Sequence, residues 1–372
     1  MKKILICFLI IAAAFVLSGS YYEENISEQL EIASESGISD AVPEEAAELL
    51  KKIGIDGIDA KSLSTLSFKD IFILIAKSLS QKIRQPFYAI ITVMAAGILC
   101  TLVQNLGESV GRTGTVYNTV CTLTVAVSVI IPMKEVISST ARVIEECSNF
   151  MLAFVPVYSS VITASGYVSS GIGYRTLMLG AVTVISRIAG EIVAPLICIY
   201  LAICIAGIAS PVDIGGISKC VKNFAVWVLG ASMAVFSGIM GLGSIVSVSA
   251  DGAGYKAAKF IVGSTVPVVG GAISDALAAM KGCLLMTKNV LGAYAILVTA
   301  AIFIPSIISL LSWKICLSVG AAVGDMCGNK TLSSLLASSS SVMGIMLALL
   351  ITTGAMFIFS LAIMLMAGGA AR

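Results

Sequence analysis

Histidine is missing from this chain altogether. That absence removes the side chain that most often acts as a general base near neutral pH, and with it the commonest neutral metal ligand. Charge is scarce too: 12% of residues are Asp, Glu, Lys or Arg, about half the share usual in soluble domains. The 23 basic and 21 acidic side chains nearly cancel, and no dense basic patch points to nucleic acid. The ten cysteines form no CxxC pair and mostly sit in apolar runs. They read as small buried hydrophobes rather than as a metal site or a disulfide framework. No Ser/Lys, paired-Asp or Walker-type constellation occurs, so the chain is not expected to be an enzyme hydrolysing ATP or peptide bonds, and nothing calls for a cofactor.

What the chain has in abundance is apolar sequence. It is 58% hydrophobic over 372 residues, with a mean hydropathy of +1.02. Several runs approach or exceed 18 residues, the length that crosses a bilayer core. The expected class is therefore an all-α polytopic membrane protein in contact with lipid.

Residues 1–20 read as a signal peptide. Lys2 and Lys3 supply the charged start, Ile4 to Leu17 the apolar core, and Ser18-Gly19-Ser20 the small residues for cleavage after Ser20. An uncleaved anchor is the alternative, although the core is short for a span. Residues 21–85 then form a small extracytoplasmic helical region with a charge switch. Nine acids and no base lie between Tyr21 and Leu50, and seven bases with three acids between Lys51 and Gln85. Pro43-Glu44-Glu45 followed by AAELLKK and Gly54 reads as a short helix: Pro at the start, acids in the first turn, lysines in the last, Gly beyond the stop. From Phe68 to Arg84, apolar residues recur every three or four positions with lysines on other faces. That suits a helix lying in the headgroup layer, or a solvated helix packed on the rest of the protein.

The membrane domain occupies residues 86–372, with six spans expected at about 87–106, 116–132, 175–208, 223–247, 289–312 and 342–367. Between spans two and three, Val136, Ile137, Val143, Ile144 and Cys147 form a stripe opposite Lys134, Glu135, Arg142, Glu145 and Glu146, an amphipathic and interfacial pattern.

An internal repeat, about 116–215 and 223–328, organises this domain. The run NFMLAFVPVYSSVITASG around Pro156 is echoed by KFIVGSTVPVVGGAISDALAAMKG around Pro267. Pro195 matches Pro305, Leu179-Gly180-Ala181 matches Leu291-Gly292-Ala293, and Asp213 matches Asp325. Each unit reads as a span, a broken re-entrant-type hairpin, a proline-kinked span and a glycine-rich turn. Paired broken segments of this kind mark substrate sites in transporters. The topology that follows places more basic residues outside than inside, against the positive-inside bias, so orientation stays open.

Few residues carry chemistry. Arg187 and Glu191 stand inside the third span, about 18 Å along it from Arg175. Four residues apart, they share a helical face and can pair. Charges at that depth are by default functional, and a structural salt bridge locking the helix to a neighbour is the competing reading. Asp275, in the second hairpin, is either an ion ligand or an acid facing water. Gly230, Ser237, Gly238, Gly241 and Gly243 stripe the fourth span, as close helix packing requires.

The FVPVYSSVITASG element, the RIAGE span and the VPVVGGAISDA echo, behind a signal and an acidic-then-basic region, resemble the stage III sporulation protein AE family over essentially the whole mature chain. The resemblance implies an endospore-forming bacterium and a place in the mother-cell membrane around the engulfed forespore. It implies a channel complex there, with an ATPase resembling secretion motors, ring-forming proteins and a forespore-side protein as partners. Function then divides into a permease-like channel component, favoured by the repeats and the mid-membrane charges, and a membrane scaffold that anchors rings. An independent ion-coupled transporter is a third option.

Overall fold

The computed structural model describes residues 38–55, 57–58, 82, 84–107, 113–209, 215–265 and 270–366. Every described element is helical. In chain order they are α1 (Glu44–Lys52), α2 (Arg84–Gly107), α3 (Thr113–Ala164) and α4 (Val168–Arg187), then a π-helical segment (Ile188–Val193), α5 (Ala194–Ala209), α6 (Gly215–Thr265), α7 (Gly270–Met326) and α8 (Lys330–Met366). In lipid only a helix or a closed barrel satisfies the backbone internally, so an apolar chain of this kind folds as helices.

Short helix α1 forms as its sequence dictates. Pro43 precedes it, acids fill the first turn and lysines the last. Gly54 then turns left-handed at φ +85°. The Gly54 and Ile55 amides donate to Lys51 and Leu50 carbonyls at 3.0 and 2.9 Å, closing the helix end. Ala46 and Leu50 are buried, and the helix packs on α7.

Among the described residues, five helices are long and apolar enough to cross a membrane: Leu123–Ala164, Val168–Gly207, Gly215–Gly241, Leu284–Met326 and Lys330–Leu365. Six were expected. The first expected span lies in α2, where the described apolar stretch, Arg84–Leu99, is shorter than the other five. The expected signal peptide, the amphipathic stretch from Phe68 and Pro267 lie outside the described residues. Asp275 falls within α7, but its side chain is likewise outside the described part.

The hairpin expected at Pro156 is not a break. Helix α3 runs 52 residues through both Pro132 and Pro156. The segment from Met133 to Phe150 is its middle, not a separate interfacial helix. A proline inside a helix costs about 3 kcal/mol. Across Pro156, however, Phe150, Phe154 and Tyr158 stack at centroid separations of 5.7 and 5.2 Å. All three are fully buried, and each aromatic pair adds about 0.5–1.5 kcal/mol beyond its buried area. Stacking along α3, with burial of the three rings, thus offsets the proline penalty and holds the helix continuous.

The break comes ten residues further on. Gly166 adopts φ +89°. Its amide donates to Thr163 at 3.0 Å and that of Tyr167 to Ile162 at 3.3 Å. The chain reverses here, and α4 returns along α3. The reversal is tight: a Cβ at Gly171 would lie 2.9 Å from the Ser159 carbonyl oxygen.

Pro156 lies inside a helix, and its counterpart Pro267 is outside the described residues. The other proline pair differs between the two halves of the expected repeat. Pro305 is accommodated within α7, whereas Pro195 follows a π-helical turn. There the Ala194 amide donates five residues back, to Ala189. A proline ring collides with the carbonyl four residues earlier in a regular helix, and the wider turn around Glu191 relieves that collision.

The α7–α8 hairpin is the most enclosed part. Phe303 and Phe357 are fully buried with centroids 6.2 Å apart. Asn329 starts α8 by accepting the Leu332 amide at 2.9 Å, and its amide group reaches the Gly97 carbonyl of α2 at 3.4 Å. On α6, Gly230, Gly238 and Gly241 face open space. Within one chain they do not make the close helix packing expected of them.

Gly171→Ala must move backbone and is expected to lower stability by about 1–3 kcal/mol. Gly180→Ala, where a Cβ meets nothing, is expected to be neutral or stabilising by up to about 1 kcal/mol. Thermal unfolding of the purified variants in one detergent checks both.

Candidate functional site

The α3–α4 hairpin decides which polar residues meet. Glu145 and Arg187 lie equally far from Gly166 in sequence, so antiparallel pairing sets them at one level. Between the two helices is a cavity of about 380 Å³, within the range of small-ligand sites. Glu145, Ser148 and Asn149 line it from α3, and Thr183, Ser186 and Arg187 from α4. Met346 and Leu349 of α8 close the far side. The Ser148 and Ser186 hydroxyls hydrogen-bond across the helices, and Ser148 also donates to the Ile144 carbonyl at 2.8 Å. Both serines belong to a polar seam in an otherwise apolar bundle. The arrangement offers a cation, a carboxylate, an amide and hydroxyls to water or a small polar guest. It contains no cysteine nucleophile and no histidine base.

A second cleft, of about 500 Å³, opens between α4, α6 and α8. Its walls include Trp227, Val235, Phe236 and Met356, with Ser232, Thr352 and Thr353 as the few polar groups.

Of the residues expected to carry function, Arg187 lines the first cavity. Glu191 lies in the π-helical segment and is exposed. No ion pair joins it to Arg187; among the described residues the ion pair is Lys52–Glu48 on α1, at 3.4 Å. The pairing argument assumed a regular α-helix, and the hydrogen bonding here has shifted to the five-residue pattern. Pro156 is half-buried in α3, Pro195 exposed at the start of α5 and Pro305 buried in α7. None of the three lines the cavity. Sequence reasoning placed Glu145 on the charged side of an amphipathic stripe, and that stripe is real: Val136, Val143, Ile144 and Cys147 are buried, while Arg142 and Glu145 are exposed. It missed Ser148, Asn149 and Ser186. The Ser165-Gly166 stop signal was the clue, because it fixes the partner of every residue on α3.

The sequence profile described as Stage III sporulation protein AE matches residues 57–368. The chain belongs to this family. A relative from Bacillus subtilis (strain 168), Stage III sporulation protein AE, is 24% identical over 282 residues, covering 74% of this chain and 70% of its own length. No solved structure matches. Membership brings a role in sporulation, and the matched region contains α2 to α8 entire, cavity included.

Ser148→Ala and Ser186→Ala are each expected to lower stability modestly, with a double-mutant coupling near 0.6 and no more than about 1.7 kcal/mol, the range for hydrogen bonds between membrane helices. Thermal unfolding of the two single variants and the double variant measures it.

Proposed function

We propose that this chain is the membrane component of a channel complex linking mother cell and forespore, needed for forespore development and without catalytic chemistry of its own. It resides in the mother-cell membrane around the forespore, beside an ATPase and ring-forming proteins of the same complex. Family membership supports the sporulation setting. The observation that carries the channel reading is the polar cavity at Glu145 and Arg187, set between helices otherwise apolar enough to span a bilayer. Ionisable groups at such positions are costly and by default mark a path for solutes or ions.

A scaffold that anchors rings is the second reading. It is favoured by the exposure of Arg187 and Glu191 on the helix surface, where a neighbouring chain can reach them.

In a sporulating host, Arg187→Ala and Glu145→Gln are expected to stop forespore development while the protein and its complex are recovered in normal amount. Loss of the complex with the charge would instead establish the scaffold. Normal spores from both variants would remove the cavity from consideration.

A further inference from the structure

Five charges crowd a short stretch of α3 without closing on one another. Lys134, Glu135, Arg142 and Glu145 are exposed and Glu146 is half-buried, and none of them forms an ion pair with a described residue. Together they occupy about 18 Å of helix. Hydrocarbon tolerates such charges poorly, and least of all unpaired. Helix α3 does not need to hold them there. Its 52 residues extend about 78 Å if straight, against a hydrocarbon core of about 30 Å. More than half of α3 therefore lies beyond the lipid tails, and the charges mark which part does.

Helix α1 identifies what meets that stretch. Five of its nine residues, Glu44, Glu45, Glu48, Lys51 and Lys52, are charged, and all five are exposed. Such a helix belongs in water or among headgroups. It is nonetheless fixed to the bundle: Ala46 and Leu50 are buried on its underside, and it packs on α7. Helix α7 in turn packs on α3, where the Cys147 and Thr299 side chains hydrogen-bond. Glu45 lies within electrostatic reach of Glu146. Water that bathes α1 therefore bathes α3 at Glu146.

The cavity opens at the same level. Glu145 is the neighbour of Glu146, and the α3–α4 register sets Arg187 beside it. Glu145, Asn149, Thr183 and Arg187 line the cavity and are all exposed, so its α3–α4 edge is a mouth rather than a wall. Arg187 at that edge and Glu191 one turn on are also exposed, and neither closes an ion pair with a described residue. Inside, Ser148 and Ser186 offer hydroxyls, and Met346 and Leu349 end the recess in apolar side chains. A volume of about 380 Å³ lined by hydroxyls, an amide and two charges is polar and roomy enough for water.

We propose that the cavity is an aqueous vestibule, open at Glu145 and Arg187 to the side of the membrane that holds α1 and stopped inward by Met346 and Leu349. It takes water and small hydrophilic solutes of either charge, because a carboxylate and a guanidinium share its mouth. Water there also relieves the cost of Arg187 and Glu191. The inference goes beyond the channel reading and stands without it, since a scaffold would carry the same recess.

Thiol accessibility in the full-length chain tests this. Glu48→Cys on α1, and Asn149→Cys and Thr183→Cys on the two walls of the mouth, are each treated with a cationic and an anionic membrane-impermeant methanethiosulfonate, in membrane vesicles of either orientation. Modification of each introduced cysteine is read by peptide mass spectrometry, so the natural cysteines stay in place. Cys147, fully buried two residues from Asn149, sets the unreactive floor. Asn149→Cys and Thr183→Cys are expected to react from the same membrane face as Glu48→Cys, with both reagents and at rates within about tenfold of it, since thiol reactivity follows exposure and thiolate character. Either wall variant suffices if the other does not fold. Wall cysteines as slow as Cys147 from both faces overturn the proposal, as does reaction from the face opposite to that of Glu48→Cys or with one reagent alone. A Glu48→Cys thiol inert from both faces overturns it too, because α1 would then not stand in water. Spore formation plays no part in this readout, so its failure is distinct from that of the channel reading.

Discussion

A left-handed glycine at position 166 governs most of what lies between residues 113 and 209. By reversing the chain there, it lays α4 antiparallel on α3 and fixes the register of every contact between them. Gly171 keeps the two backbones close just beyond the turn. From that register follow the Ser148–Ser186 hydrogen bond, the shared level of Glu145 and Arg187, and the cavity they line. A shift of one residue in the turn would rotate a different set of side chains inward and leave the serines facing apolar neighbours.

The π-helical turn before Pro195 is the second point on which the arrangement rests. It lets α4 and α5 run on through a proline that would otherwise disrupt a regular helix. The extra width at Ile188–Val193 also sets how the apolar face of α5 is turned relative to that of α4. Glu191 sits within that turn, so a backbone accommodation for a proline and the placement of a costly charge occur in the same few residues.

Much of this was legible in the residues, and the limits are physical. The class follows from hydropathy alone, because a bilayer leaves the backbone little choice. Helix α1 is spelled out by Pro43, its end charges and Gly54, all local signals. The α3 stripe is equally local. Pro156 misled because its penalty is read from one residue, while the stack that offsets it runs along α3 through Phe150, Phe154 and Tyr158 and depends on the burial of all three rings. The repeat pairs prolines correctly as letters, yet Pro195 follows a π-helical turn whereas Pro305 lies inside a continuous helix. Arg187 and Glu191 were recognisable as unusual. Their failure to pair depends on a hydrogen-bonding pattern that spacing rules do not anticipate, and Ser148 and Ser186 acquire meaning only once the turn is located.

The lengths of these helices carry a mechanical consequence. Helix α7 has 57 residues, about 85 Å if straight, against a hydrocarbon core of about 30 Å. It is clamped along its course to α8, itself 37 residues long. More than half of such a rod must lie beyond the hydrocarbon. A lever of this length multiplies small motions: a tilt of about 10° about one end displaces the other by about 15 Å for a helix of these dimensions. Changes in how the bundle sits in the bilayer are thus converted into movements the size of a side-chain layer or more at its far end.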